Sequence, residues 1–177
     1  LTAQQDRSTE RSGGVPLLRF GGALNGDEQG VDVIVVSMQL AASDLRDLFA
    51  CHANDEFEEG MISDFARAIW RAIEDRGSIA VREIQTIIAD QNANRDQAIE
   101  SLYAMASMED QTTRVARRAA IERSLLSPDT GIRDMAITGI GQMESRESVP
   151  ALRSASMKET NLHLRKRIAW LLNSLGG

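Results

Sequence analysis

Apolar residues recur along the second half of this chain with the spacing of an amphipathic helix. From Ile132 an apolar or small stripe continues through positions 135, 136, 139, 140 and 143. From Leu164 a second stripe runs through positions 168, 171, 172 and 175. Intervals of three and four residues place such side chains on one helical face. The pattern therefore predicts two amphipathic α-helices, and Gly139, on the first stripe, is expected to permit close packing of a neighbouring helix.

The first of these helices follows a segment that occurs three times. IIADQNANRD, LLSPDTGIRD and MKETNLHLRK each run from an apolar pair or its equivalent through a short polar turn to an arginine. Alignment puts Arg95, Arg133 and Arg165 in one column. The residues after each arginine also align, so the repeated unit includes a turn and the helix that follows it.

A partner helix is predicted before each of the last two turns. Thr112–Ser127 and Glu147–Lys158 are the expected segments, with Ser148 as a cap of the second one and Pro150 in its tolerated first turn. Each unit is then a helical hairpin that cannot bury its apolar stripe alone. Stacking of neighbouring units would complete the core.

The repeated segment resembles the HEAT-repeat family of armadillo-like α-solenoids. Pro128, Asp129, Ile132 and Arg133 in SPDTGIRD carry the resemblance, which spans residues 79–175. The resemblance implies an all-α fold: a right-handed α-solenoid of roughly three to four helical hairpins.

The expected organisation is an N-terminal segment followed by one helical repeat domain. Residues 1–30 are predicted to be a flexible Gly-rich and polar segment or linker, and residues 31–177 the repeat domain. The repeat units are expected at 42–77, 78–109, 111–144 and 147–176, the first being an atypical capping unit. Gly30–Leu40 is a β-like run, interpreted as part of an irregular arm packed on the solenoid end. Extension of the first helix, or pairing with another chain, are the alternatives.

Charge is distributed unevenly over the 177 residues. The chain carries a net charge of −6, made up of −10 in residues 1–109 and +4 in residues 110–177. Arg114, Arg117 and Arg118 form a basic cluster, interpreted as the solvated face of a partner helix. An acidic protein with one mildly basic part is a poor match to a nucleic-acid footprint.

Composition leaves the compartment open. No run approaches the roughly 18 apolar residues needed to span a bilayer, so no membrane insertion is predicted and the chain is expected to be soluble. The single Cys51 suits a reducing compartment, slightly favouring the cytoplasm. The polar start of the chain at Leu1 is compatible with an exported or membrane-anchored parent protein as well.

Motifs for catalysis and cofactor binding are not found. The sequence has no G-x-S-x-G, Walker-type or dinucleotide-type glycine pattern. Cys51 and His52 are adjacent and would diverge by about 100° on a helix, and the other histidine is His163, so no zinc site is predicted. Cys51 is instead expected to be partly buried on a helix. NGDEQG resembles a calcium loop but has Val36 where the bidentate glutamate is required. We expect neither a catalytic residue nor a cofactor.

The repeated arginines are interpreted first as structural groups. Arg133 follows Asp129 by four residues and Arg95 follows Asp90 by five. These arginines, with Arg165, are expected to bond their own turn or the next one in a ladder. The functional alternative is a row of cations that binds phosphate.

A binding face is predicted on the helix that closes each unit. Asp134, Thr138, Lys166, Trp170 and Asn173 are the candidate residues, since they point away from the apolar stripes. A face that runs from acidic to basic and aromatic suits a protein or peptide better than a phosphate backbone.

We therefore expect a non-catalytic protein-protein interaction scaffold or adaptor. A homodimer through the C-terminal repeat, contacting Trp170, is also considered. The family resemblance supplies two alternatives: a nucleic-acid-binding alkylpurine DNA glycosylase of HEAT type, with Asp134 or Asp96 as its acid, and a HEAT-type lyase of the bilin-attaching kind.

Overall fold

The computed structural model describes residues 44–57 and 61–176, and this part of the chain is all-α, with no strand. None of its helices is long and apolar enough to cross a membrane. The predicted segment 1–30, the loop NGDEQG and the run Gly30–Leu40 lie outside the described residues.

Eight α-helices and one short 3-10 helix follow one another along the described residues. They are α1 (44–51), α2 (Asp64–Arg76), α3 (Ser78–Ala89), α4 (Arg95–Ser107), α5 (Arg114–Ser124), α6 (Thr130–Gln142), the 3-10 turn Arg146–Ser148, α7 (Val149–Lys158) and α8 (Leu162–Ser174).

The even-numbered helices begin at side-chain caps. Ser63, Asn94, Asp129 and Asn161 each accept a hydrogen bond from a backbone amide in the first turn of α2, α4, α6 and α8. At α4 the side chain of Gln97 also accepts from the amide of Asn94, which completes a capping box. The short polar turns of the repeated segment therefore end in residues that stop one helix and start the next.

Two sets of helices contact each other along the chain. In one set α2 contacts α4, α4 contacts α6 and α6 contacts α8, and in the other α3 contacts α5. The sets are joined by contacts between consecutive helices, including α2 with α3, α5 with α6 and α7 with α8. Each even-numbered helix between α2 and α8 thus has an even-numbered neighbour on both sides.

The core follows the apolar stripes. On α6 Ala136 and Ile140 are fully buried, and on α8 Leu164 and Ile168 are almost fully buried. At Gly139 a Cβ would lie 3.2 Å from the Cβ of Ala106 on α4. The close approach of α4 to α6 explains why glycine, a poor helix former, is tolerated here.

Three local predictions need correction. The predicted helix Thr112–Ser127 is shorter, because Asp110 and the threonines after it form a hydrogen-bonded turn that delays its start to Arg114. Ser148 precedes α7 but makes no cap bond, since its hydroxyl donates to the carboxylate of Glu122 at 2.7 Å. Cys51, predicted to be partly buried, is exposed on α1.

Candidate functional site

Two of the three repeated arginines bind a carboxylate in the turn before the next even-numbered helix. Arg95 Nε lies 3.3 Å from Asp129 Oδ1, and Arg133 donates to both carboxylate oxygens of Glu159, at 2.8 and 3.2 Å. Arg133 also donates to its own turn, at the carbonyls of Ser127 and Pro128. These bonds form a ladder in which each arginine reaches forward along the chain.

The ladder carboxylates are held in their ionised form. The Arg133 guanidinium is the main cause of a lowered pKa at Glu159 and outweighs the opposing effect of burial. Burial by itself would raise the pKa of Asp129, but the amides of Ile132 and Gly131, with Arg95, outweigh it and lower the pKa. Asp90, the remaining predicted member, makes no side-chain hydrogen bond or ion pair within the described ranges.

Arg165 occupies the third position of this column but makes only the kind of bond by which Arg133 binds its own turn. Its Nε and Nη2 donate to the carbonyl of Glu159, at 3.3 and 2.9 Å, which is the bond to its own turn. Among residues 44–57 and 61–176 no carboxylate lies within ion-pair distance of Arg165. The forward bond of the ladder is therefore absent at this exposed arginine.

Asp134 and Thr138 lie at the contact between α6 and α8. Arg167 of α8 donates to the carboxylate of Asp134 and, at 3.0 Å, to the hydroxyl of Thr138. The hydroxyl of Thr138 donates in turn to the Asp134 carbonyl at 3.0 Å. Asp134 and Thr138, two of the five predicted binding residues, are thus already bonded to a side chain of α8.

The other three predicted residues, Lys166, Trp170 and Asn173, lie together on the side of α8 opposite its buried positions. We call Leu162, Lys166, Ala169, Trp170 and Asn173 the α8 outer stripe, because they follow one another at intervals of four, three, one and three residues and all are exposed. Trp170 is 71% exposed and Leu162 62% exposed. No hydrogen bond or ion pair of the Lys166 side chain exists within the described part of the chain.

The α8 outer stripe corresponds, in the repeat register, to a surface of α6 that is partly covered. Positions 166, 170 and 173 align with Asp134, Thr138 and Gly141. On α6 this surface meets α8: Arg167 binds the first two residues, and a Cβ on Gly141 would lie 3.5 Å from Leu171. The outer stripe is therefore the uncovered equivalent of a helix-stacking surface.

Arg117 does not belong to a solvated basic face, contrary to the sequence-based interpretation. It is fully buried, and its guanidinium donates to the carbonyls of Met105, Met108 and Asp110 and to the hydroxyl of Thr113. Burial lowers its pKa, although the nearby charge of Asp110 opposes this effect. This arginine satisfies carbonyls in the last turn of α4 and just beyond it, where a helix leaves acceptors without partners.

The flanking arginines of the same cluster are also engaged. Arg114 donates to the carbonyl of Met143, and Arg118 lies 3.6 Å from Glu122 and 3.5 Å from Glu147. The whole cluster therefore connects α5 to neighbouring segments. Arg114 and Arg117 use their donors on backbone carbonyls, and Arg118 is paired with carboxylates.

A groove of about 620 Å³ opens beside the Arg95–Asp129 rung. Its apolar lining includes Ile88, Leu126 and Ile132, and Arg123 at its rim donates to Gln85 at 2.6 Å. No histidine, cysteine or glutamate lines it. The groove can accept an apolar side chain, but it brings no acid–base pair together.

Other chemistry is sparse in the part of the chain that the structure describes. It contains no group of three or more His, Cys, Asp or Glu side chains that could hold a metal ion. His52 Nδ1 lies 2.6 Å from the carboxylate of Asp55, not beside the exposed Cys51 thiol. Trp70 is half-buried against the core, and its indole donates to the Ala104 carbonyl at 2.8 Å.

Sequence reasoning missed Glu159 and Arg167 as partners of the candidate residues. Glu159 has a detectable signal, because it stands in the polar turn of the third repeated segment, as Asp129 does in the second. Arg167 follows Arg165 and Lys166, and nothing in this run of three cations distinguishes it from the other two. Its direction toward Asp134 depends on how α8 packs on α6.

Comparisons with protein-family models, curated proteins and solved structures find no match to this chain.

Proposed function

We propose that this chain is a non-catalytic protein-protein interaction module that binds a protein or peptide partner through the α8 outer stripe. The observation that carries the proposal is Trp170, a large aromatic side chain that is 71% exposed beside Lys166, whose side chain has no partner among residues 44–57 and 61–176. Tryptophan is enriched among residues that contribute most to binding, and a large apolar side chain left in water favours association.

The proposal includes a HEAT-like solenoid as the scaffold. The helix contacts support it, because α2, α4, α6 and α8 contact each other in succession while α3 contacts α5. The forward ladder of Arg95 to Asp129 and Arg133 to Glu159 supports it as well, since two aligned arginines each bind a carboxylate of the following turn.

The pairing of the cations argues against nucleic acid as the main ligand. Arg95, Arg133 and Arg167 are each engaged by a carboxylate, and Arg117 is buried. A phosphate backbone is bound by accessible cations that replace its counterions, whereas three of these arginines are paired with carboxylates and the fourth is inaccessible. Asp134, the candidate acid of the glycosylase alternative, is paired with Arg167.

Affinity capture from a cell lysate tests the proposal when it compares two matched double variants. Lys166→Glu with Trp170→Ala removes the α8 outer stripe, and Arg82→Glu with Val115→Ala makes the same kinds of change on exposed residues of α3 and α5. We expect a protein that wild type and the α3/α5 variant retain and that the α8 variant loses.

Circular dichroism and thermal unfolding of all three proteins provide the folding control. Retention of the same proteins by both double variants would refute the proposed face. Retention of nucleic acid in a salt-sensitive manner, with no protein that depends on the stripe, would refute the proposed ligand class.

A further inference from the structure

The direction of the arginine ladder specifies which partner Arg165 of α8 lacks. Arg95 binds Asp129 and Arg133 binds Glu159, so each arginine takes a carboxylate from the turn that precedes the next even-numbered helix. Arg165 makes the bonds to its own turn and has no such carboxylate within the described ranges. Its Nη1 group therefore has no acceptor among the described residues and can donate to a ligand.

The α8 outer stripe lies beside Arg165 and also lacks, among the described residues, the neighbouring helix that its equivalent on α6 has. On α6 the equivalent surface receives α8, whereas on α8 Leu162 and Trp170 stay exposed. A helix that packed on α8 as α8 packs on α6 would cover both the α8 outer stripe and Arg165. A single helical ligand could therefore contact both the α8 outer stripe and Arg165.

Charge restricts what that helix can be. α8 contains Arg165, Lys166 and Arg167 and no aspartate or glutamate, so its surface has no carboxylate to offer. Two copies that met through this helix would oppose like charges and leave both Arg165 side chains without a counterion. A partner with acidic groups complements the surface, and a second copy of the same helix does not.

We propose, on the basis of the proposed function, that the α8 outer stripe binds a helix of another protein that carries an aspartate or glutamate in the turn just before the helix begins. This carboxylate binds Arg165 as Glu159 binds Arg133. An apolar face of the same helix covers Leu162 and Trp170, and its acidic flank meets Lys166.

A displayed library of helical hairpins, randomised in the loop and on one helix face, provides the probe. Panning on the whole protein is expected to yield clones with an acidic residue in the loop just before the helix and an apolar face on that helix. Binding is expected to shift the emission of the exposed Trp170 to shorter wavelength, while the half-buried Trp70 contributes a constant background.

Affinities of a selected clone for variants then test the individual contacts. Arg165→Gln is expected to weaken binding by roughly tenfold or more, because charge-assisted hydrogen bonds are the stronger kind. Arg82→Gln, which changes an exposed arginine on α3, is expected to have no effect.

A charge swap separates the contact from a general loss of folding. Arg165→Glu should abolish binding of the acidic clone, and replacement of the clone's carboxylate by arginine should restore it. Restoration requires a folded protein, so it also serves as the folding control.

Several results would overturn this inference. One is a set of selected clones that is not enriched in acidic residues before the helix. Another is an equal affinity of a selected clone for wild type and Arg165→Gln. The third is self-association of the protein in sedimentation that Trp170→Ala abolishes. If a natural partner depends on Trp170 but not on Arg165, the proposed function stands and the carboxylate contact is wrong.

Discussion

Replacement of the buried Arg117 should destabilise the protein far more than replacement of an exposed arginine. The guanidinium donates to the Met105 carbonyl at 2.5 Å and to the Met108 carbonyl at 2.9 Å, and it also binds the Asp110 carbonyl. Its Nε donates to the hydroxyl of Thr113 at 3.0 Å, and that hydroxyl donates to the Asp110 carboxylate at 2.6 Å. One side chain thus joins α5 to the end of α4 and to the turn between them.

The magnitude follows from the acceptors that the substitution leaves behind. Arg117→Met keeps much of the side-chain volume but leaves three carbonyls without their donor. An unsatisfied buried polar group costs about 1 to 3 kcal/mol, and removal of a buried charge also relieves some desolvation. We expect a loss of about 3 to 5 kcal/mol, a large part of the stability of a domain of this size.

Urea unfolding at neutral pH, followed by far-ultraviolet circular dichroism, measures this loss. Arg153→Met, which changes an exposed arginine of α7, is the matched control and should change stability by about 0.5 kcal/mol or less. Arg117→Lys should give an intermediate loss, because an ammonium group lacks the planar fork that reaches several acceptors at once. A loss at Arg117→Met no larger than that of the control would refute the bonding role.

Three further predictions concern the helix contacts and the ladder. Gly139→Ala should destabilise by about 1 to 3 kcal/mol because its Cβ would lie 3.2 Å from Ala106, whereas Gly141→Ala, at 3.5 Å from Leu171, should stabilise by up to about 1 kcal/mol in urea unfolding. The opposite order of the two variants would contradict the packing. Glu159→Gln should cost about 1 to 3 kcal/mol at pH 7. Because Arg133 lowers the folded-state pKa of Glu159, the stability that this carboxylate adds is present above its ordinary pKa of about 4.3 and is lost as the pH falls through the folded value, so the difference between wild type and variant should shrink in acid. A constant difference down to about pH 2 would disprove this linkage. Trp170→Ala should change stability by only about 0.5 kcal/mol, since the side chain is 71% exposed, and a loss above about 2 kcal/mol in thermal or urea unfolding would show that Trp170 is structural.

The helices and their turns could be predicted because they depend on local sequence. Apolar spacing from Ile132 and from Leu164 marks the buried faces of α6 and α8, and both helices follow the polar turns of the repeated segment. Exposure of Trp170 follows from the same spacing, since it lies away from the buried stripe. Periodicity determines which side of a helix is apolar, whatever that side contacts.

The tertiary structure alone decided where the long charged side chains go. Arg117 lies three residues from Arg114 and one from Arg118, yet it is the one that is fully buried, because the end of α4 presents carbonyls at its position. Arg95 reaches Asp129 of the following unit and not the nearby Asp90, since the packing of α4 on α6 brings those groups together.

The same limit applies to the candidate site. Sequence placed Asp134 and Thr138 with Lys166 and Trp170 on one face, whereas the structure joins the first two to Arg167 and leaves the second pair exposed. A repeat pattern determines register along each helix, but an arginine side chain has four rotatable bonds and takes the direction of the acceptor that a neighbouring helix provides. The sequence thus determined the helices and their faces, and the packing of one helix on the next decided which charges remain free for a partner.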